Sequence, residues 1–261
     1  MPLPHLTQPL AQRLLLSISL LALLGACASP EERAAKRQLK LERQQQKAQR
    51  VVDRANDKKD QAITDPAARQ KAAPDELLKA FANCDGSMFK VAAQYKAELS
   101  GNWPIATKGD IGNILVPDRG SPDKHFAAAR NNPTMLNLPV SGYFDEVMTL
   151  GTGSSPNYWW GFFSPLSPRE AYRILSLRLP ELKRLRADKD GAYVRLDRWD
   201  GANWRRVTNA ASYRGAATET AERVLIIDKS DQAAYPGTRI ACSLQGPVPA
   251  PTLLLLRPDL Q

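Results

Sequence analysis

Histidine is nearly absent from this sequence: His5 and His125 are the two in 261 residues. That scarcity excludes most acid–base constellations, because a Ser-His-Asp or Cys-His enzyme would rest on one side chain. His125 lies in the polar stretch SPDKHFAAA, where a solvated loop histidine is expected. The chain also lacks a Gly-x-Ser-x-Gly elbow, a phosphate-binding glycine loop and a His-Glu-x-x-His pair. The apolar stretch LLLSISLLALL, Leu14 to Leu24, falls short of the roughly 20 residues that a membrane-spanning helix needs. Cysteine is scarce, with three residues. The formal net charge is +9, but no nucleic-acid motif accompanies it, so no nucleic-acid partner is expected.

What is present begins at the amino terminus. Arg13 precedes the apolar stretch, whose length is that of a signal-peptide core. Directly behind it stands Leu24-Gly25-Ala26-Cys27. This tetrapeptide resembles the lipobox of bacterial lipoproteins. The resemblance implies that residues 1–26 are a signal peptide and that Leu24, Gly25 and Ala26 are read by signal peptidase II. It implies that the Cys27 thiol accepts a diacylglyceryl group. Two or more acyl chains anchor stably where one is marginal. The residue after the cysteine is Ala28 rather than Asp, which by the same resemblance implies sorting to the outer membrane; the body is expected to face the periplasm, though Ala28 does not decide this. The membrane would thus be held through the N-terminal lipid.

Residues 27–73 read as a lipid-anchored, charged, partly helical linker. From Ser29 to Ala73 there is no glycine and no aromatic residue. Ala, Gln, Lys, Arg and Glu dominate, all good helix formers. The sparse apolar residues Leu39, Leu41, Val51, Val52 and Ile63 keep no heptad, so a coiled coil is not expected.

Residues 74–246 read as one α+β globular domain. Leu77, Phe81, Cys84, Met88, Val91 and Tyr95 follow helical spacing, with Gly86 dividing the stripe. Residues 101–138 read as loops with one strand near Ile111. PVSGYFDEVMTLG and NYWWGFF alternate as strands. Ser167-Pro168-Arg169-Glu170 is a capping box opening a second helix. AYVRLDRWDGANWRRV reads as a hairpin around Asp200-Gly201, and RVLIID and TRIACSLQ close an antiparallel sheet with helices packed on one face. The Pro-rich tail 247–261 is expected to be loose.

With Cys27 taken by lipid, Cys84 and Cys242 remain. Both fall on apolar faces, and an exported protein folds where disulfides persist. We expect them to pair.

Few residues carry chemistry. DKDG, Asp188 to Gly191, resembles a calcium loop, but Arg186 occupies its first ligand position. No metal and no cofactor are expected. Glu146 shares parity with apolar neighbours, and burial would raise its pKa. Tyr158, Trp159, Trp160, Phe162 and Phe163 occupy both faces of a strand, one of them core and the other either covered or open to a ligand. The hairpin carries Arg195, Arg198, Trp199, Trp204 and Arg206, a mixture suited to an acidic glycan or a protein interface, and equally to the outer face of an ordinary sheet. The expected function is that of a membrane-anchored envelope lipoprotein, a non-enzymatic binding or adapter protein. The alternatives are a cell-wall (peptidoglycan) binding module and an envelope enzyme of unknown class.

Overall fold

The computed structural model describes residues 65–149, 155–183, 185–207 and 220–261. The signal segment, the lipobox with Cys27 and nearly all of the stalk lie outside the described residues, as does the turn expected at GTGSSP apart from its end.

Helix α1 (Pro66–Phe81) starts on Asp65, whose carboxylate accepts the Ala67 N–H at 3.1 Å. Folded structure therefore begins ahead of Pro74, the boundary read from the sequence. The helix continues through Pro74, and Ala73 and Pro74 are buried. Arg69 ties this first turn down: its Nε donates to Glu98 Oε1 at 2.5 Å and its guanidinium covers the Tyr95 ring at 4.8 Å. A proline removes one helical hydrogen bond, a loss that apolar packing on one face offsets. Chain reversal follows at Cys84, which adopts a left-handed φ of 53°, and α2 (Ser87–Gln94) and α3 (Lys96–Leu99) complete the corner.

Short strands occupy the stretch read as loops: β1 (Ile105–Lys108) with β2 (Ile111–Ile114), then β3 (Phe126–Ala128), and β4 (Thr134–Met135) with β5 (Leu138–Pro139). The main strands are β6 (Gly142–Thr149), β7 (Pro156–Ser164), β8 (Tyr193–Trp199), β9 (Trp204–Arg206), β10 (Glu222–Lys229) and β11 (Thr238–Gln245). They form one antiparallel sheet in the order β3-β6-β7-β11-β10-β8-β9. Between β7 and β8 lies α4 (Pro168–Ser176), opened by the expected capping box: Ser167 and Glu170 exchange side chain to backbone bonds. The fold is α+β, with the helices on one face of the sheet.

Strand parity sorts the core. Phe162, Cys242 and Leu225 meet Leu77, Phe81, Met88 and Leu175 from the helices. On the opposite face Phe144, Trp159, Phe163, Val224, Ile226 and Leu196 form a second buried cluster. Both faces of β7 are therefore buried. Cys84 and Cys242 are joined as a disulfide, Cα to Cα 5.4 Å, which fixes the helical corner to strand β11.

The tail is a correction. Residues 247–261 contain α5 (Ala250–Leu256) and a short 3-10 turn, Pro258–Leu260, both packed on the domain. Arg257 is fully buried and donates to Asp145 at 2.9 Å and to Asp259 at 2.9 Å. Arg119 also bridges both carboxylates, at 2.8 and 2.6 Å. The Arg257 guanidinium lies over Trp160 at 4.7 Å and Phe89 at 5.2 Å. Two cations and two anions compensate one another where single charges would be costly. Burial opposes the Arg257 charge, but Asp145 and Asp259 outweigh it and hold its pKa above the ordinary range.

Candidate functional site

The hairpin β8–β9 turns where the sequence placed it. Gly201 takes φ +99°, and the Asp200 carboxylate accepts the N–H groups of Ala202 and Asn203 at 2.9 and 2.7 Å. The Asn203 amide, the Arg205 guanidinium and the Ala202 amide together hold Asp200 at a pKa of about 2. This turn sets Trp199 directly opposite Trp204, with ring centroids 5.3 Å apart.

Alternation along β8 divides the residues that the sequence grouped. Tyr193, Arg195, Asp197 and Trp199 share the helix-bearing face; Arg198 points to the other, donating through Nε and Nη2 to Glu222 at 3.0 and 2.8 Å. Arg195 is not a surface residue: its side chain is 4% exposed, because it lies on the covered face. Burial lowers its pKa to about 10, opposed by Asp197 and assisted by Arg206 and Arg223. Arg206 is half-exposed and donates to Asp197 at 2.6 Å.

Asp197 is the hub of this face. Arg223 Nη2 approaches it at 3.2 Å and Arg195 Nε at 3.8 Å, in addition to Arg206. Burial pushes the Asp197 pKa up, and the guanidiniums of Arg206, Arg223 and Arg195 more than reverse it. Among the described residues, three cations therefore surround one buried carboxylate. The Nε atoms of Arg195 and Arg223 are buried and have no hydrogen-bond acceptor among the described residues. Arg223 also covers the Trp204 ring at 5.1 Å.

Arg223 and the two tryptophans border a groove of about 490 Å³, which Arg195, Asp197, Arg198 and Arg206 do not line. Trp199, Trp204 and Arg223 form its sheet side, Lys90 and Asp85 its wall at the start of α2, and Leu255 its rim on α5. The close approach of α5 to this corner requires glycine at position 86, where a Cβ would stand 2.4 Å from the Leu255 carbonyl oxygen. Asp85 is not a bare charge: its Oδ1 accepts the Ser87 N–H at 2.9 Å and the Ser87 hydroxyl. Lys90 is exposed and forms no ion pair among the described residues. Leu255 is 76% exposed.

The sequence reading identified Trp199 and Trp204 and missed Arg223, Lys90 and Leu255. One signal was available for Arg223: its parity with Leu225 and Ile227 sets it on the face of Trp199. Lys90 and Leu255 reach the groove through tertiary packing and carry no local signal.

His125 and Glu146 do meet. His125 Nε2 stands 4.0 Å from Glu146 Oε2, and Nδ1 lies 2.7 Å from the Ser121 carbonyl. The expectation of a solvated histidine is corrected: His125 is 3% exposed, its ring against Phe126 at 3.7 Å. Burial raises the Glu146 pKa, with His125 and Arg239 opposing. Neither residue lines the groove or the two other described cavities. Asp188 caps a turn instead of forming a cation loop, its Oδ1 accepting the N–H groups of Asp190 and Ala192, each at 2.9 Å.

No protein-family model, curated protein or solved structure matches this chain. Function is therefore argued from the groove and from the amino-terminal motif. A site of this size, apolar with a few convergent polar groups, has the ordinary character of a ligand pocket.

Proposed function

We propose that this protein is a lipid-anchored, non-enzymatic binding protein of the bacterial envelope, and that it binds through the Trp199/Trp204 groove. The observation that carries the reading is the open groove with two indoles and a surplus of positive charge. The anchor rests on Leu24-Gly25-Ala26-Cys27, and Ala28 favours the outer membrane. An enzymatic reading has less support. Among the described residues the one histidine–carboxylate pair, His125 with Glu146, stands outside the described cavities.

Two measurements test the two halves. Cys27→Ala is expected to abolish fatty-acid labelling and release the exported protein from membranes. Persisting label would overturn the anchor. A photoreactive side chain at Leu255 is expected to capture an envelope component in intact cells, and Trp199→Ala with Trp204→Ala to abolish that capture. Capture that is indifferent to both substitutions would overturn the groove as the binding place.

A further inference from the structure

We infer that the groove takes a carboxylate carried on a sugar–peptide scaffold, the chemistry of a peptidoglycan muropeptide. This deepens the reading above and rests on it: the groove must be a binding site, and the body must reach the envelope.

Charge is the first argument. On the sheet side Arg223 is the charged residue that lines the groove, and its partner carboxylate Asp197 is shared with Arg195 and Arg206, so that side is cationic among the described residues. Lys90 adds a further cation from the opposite wall. The one lining anion, Asp85, has its Oδ1 bonded to Ser87. An anionic ligand group is the complement, and a guanidinium suits a carboxylate. Arg223 lines the groove, and its Nη2 donates to Asp197 at 3.2 Å.

Surface character is the second. Trp199 and Trp204 are tilted at an interplanar angle of 55° and both line the groove, as does the exposed Leu255. Indoles offer a flat apolar body with a polar edge, which suits sugar rings and N-acetyl methyl groups. A simple inorganic anion would leave this apolar surface wet. A folded protein face needs a broad contact of roughly 800 Å² per partner, whereas this recess is a concave site of small-ligand size. The ligand is then placed with its carboxylate between Arg223 and Lys90, its ring against the indoles and its hydroxyls toward Asp85.

The test uses the full chain in detergent micelles and a soluble disaccharide–tetrapeptide. Binding is read by calorimetry. The expected result is saturable binding, weakened at least tenfold when the peptide carboxylates are amidated. Lys90→Gln, an exposed substitution that leaves the core intact, is expected to weaken binding about threefold to tenfold and to flatten its salt dependence. Trp204→Leu is expected to weaken it further, with the far-ultraviolet spectrum unchanged. Equal affinity for amidated ligand, or inorganic phosphate competing as well as the muropeptide, would overturn the inference. No muropeptide binding while Leu255 still captures an envelope component would overturn the ligand class and leave the groove standing. Loss of both would overturn the groove as well.

Discussion

Arg257→Met removes a fully buried guanidinium that donates to Asp145 and Asp259 and lies over two aromatic rings. Methionine keeps much of the apolar stem, so the loss is mainly of charge and hydrogen bonds. Two carboxylates are then left with one guanidinium, that of Arg119. Breaking a buried ion pair from one side costs about 3–5 kcal/mol. Against a total stability of about 5–15 kcal/mol this is a large fraction. With a urea m-value of about 2–3 kcal/mol/M, the midpoint should fall by roughly 1–2 M. The double variant Arg257→Met with Asp145→Leu leaves one balanced pair, Arg119 with Asp259. It should lose less than the sum of its single variants, with a coupling of at least about 1 kcal/mol. Urea unfolding followed by circular dichroism gives both numbers. A single-variant loss below about 1 kcal/mol, or strict additivity, would refute the account of the C-terminal segment as an integral part of the core.

Three further outcomes are expected. Unreduced, denatured protein should show no free thiol at Cys84 or Cys242, and replacing both by Ala should destabilise by up to about 5 kcal/mol, the chain-entropy value for a separation of 158 residues; two reactive thiols would rule the bond out. The Asn203 amide should titrate with a midpoint near the Asp200 pKa of about 2. A depressed pKa means that the turn's added stability is present above the ordinary aspartate value, about 3.9, and is lost as pH falls through about 2, so a midpoint near 4 would be contrary. Glu146 has the opposite sign. Its raised pKa means that stability is lost as pH rises through the folded value, so Glu146→Gln should unfold at higher urea than the natural protein near pH 8 and at equal urea near pH 3.5. An unchanged midpoint near pH 8 would contradict burial as the cause.

What the sequence disclosed was periodic. The stripe Leu77, Phe81, Met88 has helical spacing, and the Ser167 capping box and the apolar runs of β7 and β11 are local patterns that tertiary packing did not disturb. What it concealed was long-range. Arg257 reads as a polar residue in a proline-rich tail because Asp145 and Arg119, which make its burial tolerable, lie far away in the chain. Pro74 reads as a boundary because the Arg69–Glu98 bridge and the buried Ala73 are equally nonlocal. The hairpin is an intermediate case. Parity alone separates Arg198 from Trp199, and grouping them by proximity obscured it. His125 reads as solvated from its neighbours in the chain, yet it is 3% exposed and its Nε2 stands 4.0 Å from Glu146 on β6.

The most direct test of the central claim is photocrosslinking in intact cells from position 255, with position 177 as control. Leu255 borders the groove, and Leu177, 73% exposed, is not among the groove's lining residues. The account predicts a discrete adduct from position 255 that disappears on Trp199→Ala with Trp204→Ala, and no such adduct from position 177. Equal adducts from both positions, or one from position 255 that survives loss of the indoles, would contradict it.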